Sequence, residues 1–297
     1  MTRASGSPMT PRTIDTPALG FHALEMGAGP LALCLHGFPD DARSWRHQVP
    51  ALVAAGYHVV APFMRGYAPT ARPADGRYDA MALGEDVAAL LEALGAEDAV
   101  VIGHDWGAAA TYFGALLAAP RIRKIATLAV PYGPAFFRAL REDYAQQRRS
   151  WYMMFFQHRL AEEALRRDDF AMIERLWRDW SPGWTAPPGA LEAVKETFRR
   201  PGTLEAALGY YRASMGPVLD DPAQLDVMLE GMAMPIAVPA LYLHGADDGC
   251  IGRELAAGMD AYFPAGLHTE VVPGAGHFLH QERPDLVNRV LLEFLAS

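Results

Sequence analysis

Short apolar runs recur along the chain at 31–35 (LALCL), 57–61 (YHVVA), 98–102 (DAVVI), 124–130 (KIATLAV), 239–243 (PALYL) and 268–272 (HTEVV), each followed by Gly, Pro or His. Brief, β-branched runs bounded by such residues predict strands of a parallel sheet, buried on both faces. Between them the period changes. Over 79–94, Leu83, Val87, Leu90, Leu91 and Leu94 recur at spacings of three and four, and 284–295 repeats the pattern with Leu286, Val290 and Leu291. Both segments predict amphipathic helices with one buried stripe. Strands and helices alternating on this scale predict an α/β fold: a mostly parallel central sheet with helices on both faces and functional residues at the carboxyl ends of the strands.

The alternation stops between about Val130 and Pro239, where the sequence turns helical, aromatic and arginine-rich. Four of the six tryptophans (Trp151, Trp177, Trp180, Trp184) fall there, with Tyr144, Tyr152, Tyr210 and Tyr211. This shift predicts a helical cap at 132–235 inserted into a core made of 18–131 and 236–297. Residues 1–17 mix Thr, Ser, Pro and Arg without the apolar stretch of a secretory leader, and are expected to form a flexible tail. No run of 18 apolar residues predicts a membrane span.

Composition narrows the function classes. At 297 residues, 51% hydrophobic and 21% charged, the chain is of ordinary globular type, and a net charge of −9 without long basic runs argues against gripping nucleic acid or anionic lipid. Its two cysteines, Cys34 and Cys250, imply no disulfide framework and a cytoplasmic protein. Neither lies in a nucleophile turn, and both are read as spectators.

The chemistry concentrates where strands end. After 98–102 comes Gly103-His104-Asp105-Trp106-Gly107, then Ala108, Ala109 and Ala110. Small residues around a central side chain permit a strained strand-to-helix turn that presents that side chain at a helix N-terminus. Here it is Asp105. A carboxylate attacks amides poorly but can displace a leaving group at an sp³ carbon, forming an ester on the protein, so candidate substrates carry a strained ring oxygen or a halide. After 31–35, His36-Gly37-Phe38-Pro39 supplies a turn whose Phe38 N–H, with that of Trp106, is expected to form an oxyanion hole. Farther on, His244-Gly245-Ala246-Asp247-Asp248 follows one strand and Gly274-Ala275-Gly276-His277 another. The order Asp105, Asp248, His277 is nucleophile, acid, base; Asp248 is preferred over Asp247 because the acid usually stands fourth from the glycine. His277 would activate water while Asp248 fixes its tautomer. No motif with metal-ligand spacing is present, so neither metal nor cofactor is expected. His104 is read as packing beneath the turn, and Arg65 as bracing loops.

These motifs, HGFP at 36–39, RGY at 65–67, GHDWG at 103–107, the Asp248 loop and GAGHF at 274–278, resemble the α/β-hydrolase superfamily and, more narrowly, the epoxide hydrolases, from about Leu19 to Leu295. The resemblance implies two cap tyrosines whose hydroxyls meet the epoxide oxygen. Ser150-Trp151-Tyr152 and Tyr210-Tyr211-Arg212 look like the two segments, which carries the role to Tyr152 and to Tyr211, with Tyr210 as its alternative. Implied partners are a small apolar epoxide and water, with a homodimer left open. Haloalkane and fluoroacetate dehalogenases also use an Asp nucleophile and form the rival reading. Phe38 offers no halide-binding side chain, Trp106 stands where fluoroacetate dehalogenases carry arginine, and neither rival accounts for the tyrosines. A receptor that has lost turnover would lack a member of the triad, and none is missing.

Overall fold

The computed structural model describes residues 9–221 and 223–297. Among them, β1 (Thr10–Asp15), β2 (Gly20–Met26), β3 (Leu31–Leu35), β4 (His58–Pro62), β5 (Ala99–His104), β6 (Ile122–Leu128), β7 (Ala240–Gly245) and β8 (Leu267–Val272) form an eight-stranded sheet in the order β1-β2-β4-β3-β5-β6-β7-β8. β1 with β2 and β2 with β4 are antiparallel; every other pair is parallel. Each of the six apolar runs is a strand within a few residues of its expected bounds. The interior ones earn that composition, since every residue of β3, β5 and β7 is buried.

The tail expectation for 1–17 requires correction. Thr10–Asp15 is β1, paired residue for residue with β2 from Thr10–Glu25 to Asp15–Gly20. One face of this edge hairpin meets solvent. Ile14 and Phe21 are buried while neighbours such as Thr13 and His22 are not, so the pair lacks the continuous apolar signature of a central strand. Pro11 is tolerated because an edge strand needs only half its amides for the ladder. Residues 1–8 of the expected tail lie outside the described residues.

The sheet reverses direction of growth at β3, with β4 on one side and β5 on the other, leaving a crevice beyond the carboxyl ends of these strands. The two expected helices occupy Ala80–Ala93 and Pro284–Ala296. The first is capped by Asp79, whose carboxylate accepts from the Ala82 amide, and it buries Leu83, Val87, Leu90 and Leu91. Between β6 and β7 the described residues from Ala135 to Gly231 form only helices and loops, laid over the carboxyl end of the sheet. No helix among the described residues is long and apolar enough to cross a membrane.

Arg65 braces the loop after β4. Its Nε and Nη2 donate to the two carboxylate oxygens of Asp86, both at 2.6 Å, and the remaining donors reach the carbonyls of Arg77 and Ala82. The pair is almost wholly out of water, and burial pushes the Asp86 pKa up even against the pull of the Arg65 guanidinium. Removing the cation strands a buried carboxylate. Arg65→Met is therefore expected to destabilise the fold by about 3 kcal/mol in urea denaturation, whereas loss of the half-exposed Arg12–Glu25 pair should change little.

Candidate active site

Four loops that follow β3, β5, β7 and β8 converge on Asp105. Its backbone sits at φ +54° and ψ −119°, a conformation that costs a non-glycine residue about 1–3 kcal/mol. The strain is the price of presenting the carboxylate at the start of the helix Trp106–Ala118. A side chain at Gly107 would bring its Cβ within 2.0 Å of the Leu35 carbonyl, so the turn can press against β3 only with glycine there.

The Asp105 carboxylate is nearly buried and each oxygen has its own neighbour. Oδ1 accepts from the Phe38 N–H at 2.6 Å, across a cis Phe38–Pro39 turn. Oδ2 lies 3.6 Å from His277 Nε2. Trp106, the other residue expected in the oxyanion hole, opens the helix, where a first amide has no preceding carbonyl to satisfy it. Among the described residues it makes no hydrogen bond to the carboxylate.

His277 Nδ1 donates to Asp248 Oδ2 at 2.9 Å. The other oxygen of Asp248 accepts from the amides of Cys250 (2.7 Å) and Ile251 (3.0 Å). Desolvation opposes ionisation of Asp248, but the facing imidazole and these hydrogen bonds hold its pKa below the ordinary carboxylate value. Asp247, the rejected alternative, is exposed and uses its amide on the Ala275 carbonyl. Burial disfavours the charged form of His277. The carboxylates of Asp248 and Asp105 outweigh it and push the pKa from 6.5 up to about 10.

Burial holds the other histidines beneath the site neutral. His104 Nε2 meets the His277 carbonyl at 2.9 Å, and burial followed by the His277 charge drives its pKa down to about 3. His36 Nε2 accepts from the Met64 amide, which leaves Nδ1 to donate to the Gly37 carbonyl. His244, which sequence reasoning left unassigned, donates from Nε2 to the Ile251 carbonyl, with Asp248 Oδ2 3.4 Å away. Its N–H edge thus faces the acid. Ligand atoms of Asp248, Cys250 and His277 lie within 4.8 Å of one another, the one grouping among the described residues with metal-ligand proximity. Asp248 and His277 are already joined by a hydrogen bond, with which a cation there would compete.

The helical insertion closes the site from above. Tyr211, Phe156 and Phe198 surround Phe38 edge-on, with ring centroids 5.4–5.8 Å away, and Tyr152 packs behind them against Phe156 at 5.4 Å. The carbonyl of Trp180, in the last turn of the helical segment Leu160–Trp180, which is broken at Arg167–Phe170, accepts from both the Gly249 and the His277 amides at 3.0 Å. One orphan helix carbonyl therefore ties the acid loop to the base loop. The approach is so close that a Cβ at Gly249 would fall 2.0 Å from the Asp179 carbonyl.

The two adjacent tyrosines face different ways. Tyr210 donates its hydroxyl proton to the Arg65 carbonyl at 2.8 Å. Tyr211 lines the cavity with Asp105, and its buried hydroxyl faces the Trp106 indole N–H without a well-formed hydrogen bond; His277 Nε2 is likewise unpaired. Tyr152 is fully buried and its hydroxyl meets Cys250 Sγ at 3.2 Å. Cys250, read from sequence as a spectator, is thus in contact with one of the two tyrosines, two residues beyond Asp248. Burial keeps both phenols protonated, with pKa values well above the ordinary one. The cavity holds about 390 Å³ and is walled by Trp106, Phe113, Phe137, Met153, Met215 and Met228 among others, with no basic side chain among its described lining residues.

Comparison with known proteins agrees with this architecture. A family model described as alpha/beta hydrolase fold matches residues 30–284. Epoxide hydrolase A of Mycobacterium tuberculosis is 34% identical, covering 98% of this chain and 98% of its own length. The crystal structure of Epoxide Hydrolase A from Mycobacterium thermoresistibile superposes with a TM-score of 0.82 at 30% identity, over 98% and 99% of the two chains. A Bacillus megaterium epoxide hydrolase solved with an inhibitor gives 0.83 at 26% identity, over 96% and 100%. Sheet order and the elbow already define an α/β hydrolase. The chain belongs to that superfamily and, within it, to the epoxide hydrolases.

The His277 environment makes a prediction about stability. A group whose folded pKa is raised stabilises the fold fully below its unfolded value, and that contribution fades as pH climbs through the folded value. The difference in unfolding free energy between the native chain and His277→Gln should narrow between pH 6.5 and about 10. A difference that stays flat over that range would mean that His277 does not hold its proton between the two carboxylates.

Proposed function

We propose that this epoxide hydrolase works through a covalent aspartyl ester, with the helical insertion acting as a cap that supplies the acid groups. The observation that carries the reading is the buried Asp105 carboxylate, steadied by Phe38 on one oxygen and faced by His277 on the other, at a cavity into which Tyr211 brings an unpaired hydroxyl. Asp105 attacks an epoxide carbon and the C–O bond breaks. Tyr211 and Tyr152 hydrogen-bond to the ring oxygen as alkoxide charge develops, and that oxygen takes a proton from the phenols, which are later reprotonated from His277 or solvent.

The second step follows from the charges. While Asp105 is ionised it helps hold the proton on His277. Esterification removes that negative charge, so the imidazole can release its proton and become a base for water, still oriented by Asp248. Hydroxide adds to the ester carbonyl, the oxyanion collects at the Phe38 and Trp106 amides, and collapse frees the diol with its oxygen reprotonated by His277.

The cavity wall favours an uncharged apolar substrate. A carboxylate such as fluoroacetate would find no cation there. The unpaired indole N–H of Trp106 is the one observation on the side of a halide leaving group.

Incubating the purified protein with an aryl epoxide and, separately, a bromoalkane separates the two. Diol without halide is the expected result; halide without diol would move the assignment to Trp106 and the dehalogenases. Tyr211→Phe should slow diol formation by about a hundredfold, whereas Tyr210→Phe, whose hydroxyl serves Arg65, should stay close to the native rate.

A further inference from the structure

The two cap tyrosines are not equivalent. Tyr211 carries a free hydroxyl in the cavity wall, while Tyr152 has its hydroxyl against a thiol and does not line the cavity. Tyr152 is gripped on its ring by Trp180 (centroids 4.7 Å), Phe156 (5.4 Å) and Tyr211 (5.7 Å), so its position is fixed by packing. Packing alone leaves the O–H free to rotate. The orientation of that proton depends on what its oxygen touches, and that is Cys250 Sγ.

The backbone of Cys250 is itself held at two points. Its amide donates to Asp248 Oδ1, and its carbonyl accepts from Gln146 Nε2 at 3.0 Å. Gln146 also donates to Ser150 Oγ and accepts from the Gly252 amide, which joins the acid loop to the segment leading into Tyr152. The thiol therefore projects from a backbone locked to both the acid and the insertion.

We propose that Cys250 is a positioning residue for Tyr152: its S–H donates to the phenol oxygen and thereby turns the phenol O–H toward the epoxide oxygen. This rests on the reading of Tyr152 as a donor to that oxygen. In the empty site either atom can donate. With substrate bound, Tyr152 turns its O–H to donate a hydrogen bond to the stronger oxygen acceptor and accepts the weak S–H in exchange, so both protons stay in place until alkoxide charge develops. Desolvation raises the thiol pKa well above its ordinary value, which keeps the required S–H in place and makes Cys250 a poor nucleophile toward the epoxide. A weak sulfur partner suits the role, because a serine or carboxylate would compete with the substrate for the phenol.

A double-mutant cycle read in single turnover tests this. Ester formation and ester hydrolysis are measured separately, by rapid quench and intact-protein mass, for the native chain, Cys250→Ala, Tyr152→Phe and the pair; Cys250→Val repeats the cycle without leaving a cavity. Cys250→Ala is expected to slow ester formation about fivefold, to leave hydrolysis unchanged, and to add nothing once Tyr152 is phenylalanine. An equal loss in both backgrounds, or a loss confined to hydrolysis, would place the effect on Asp248 instead and overturn the proposal. Native ester formation in Tyr152→Phe alone would fail the tyrosine reading itself, and is seen before any cysteine is replaced.

Discussion

Two buried carboxylates share one imidazole, and the rest of the site is arranged so that they can. Asp105 and Asp248 flank His277, and all three are almost wholly out of water. Like charges in such a space are tolerable only with a cation between them and donors on their outer oxygens. The Phe38 amide serves Asp105, and the amides of Cys250 and Ile251 serve Asp248. Under the proposed mechanism the same arrangement would act as a chemical switch, because esterification removes one of the two charges that face His277.

Holding that geometry requires close backbone approach between elements distant in sequence. The elbow presses on β3 at Gly107, and the end of the helix Leu160–Trp180 presses on the acid loop at Gly249. The Trp180 carbonyl then bonds the acid and base loops together. The helical insertion is therefore part of the geometry of the proposed site and more than a cover: it holds the loops from one side while its aromatic rings close over Phe38 and Trp106 from the other.

The parts of the chain legible in sequence share a physical cause. Strands buried on both faces must be apolar throughout, and β3, β5 and β7 stood out for that reason. Asp105 was visible because a strained turn needs small neighbours. β1 and β2 were missed because an edge hairpin buries only alternate residues, Ile14 and Phe21 among them, and its signal falls below that of a polar tail. The role of Trp180 lies in a backbone carbonyl, which no side-chain pattern records. Cys250 was set aside because a thiol was judged by nucleophile motifs, whereas its contact with Tyr152 exists only once the insertion folds back over β7. The choice of Tyr211 over Tyr210 came from resemblance to a family motif; the hydrogen bond of Tyr210 to Arg65 supplies a physical reason for it.

The central claim is that water attacks the ester carbonyl of Asp105 and not the substrate carbon. A single turnover in heavy-oxygen water, with enzyme in excess of an aryl epoxide, followed by digestion and mass analysis of the peptide that contains Asp105, tests it directly. The account predicts heavy oxygen in the Asp105 carboxylate and unlabelled diol from that first turnover. Label in the diol with an unlabelled Asp105 would mean direct attack of activated water on the epoxide, and would contradict the account.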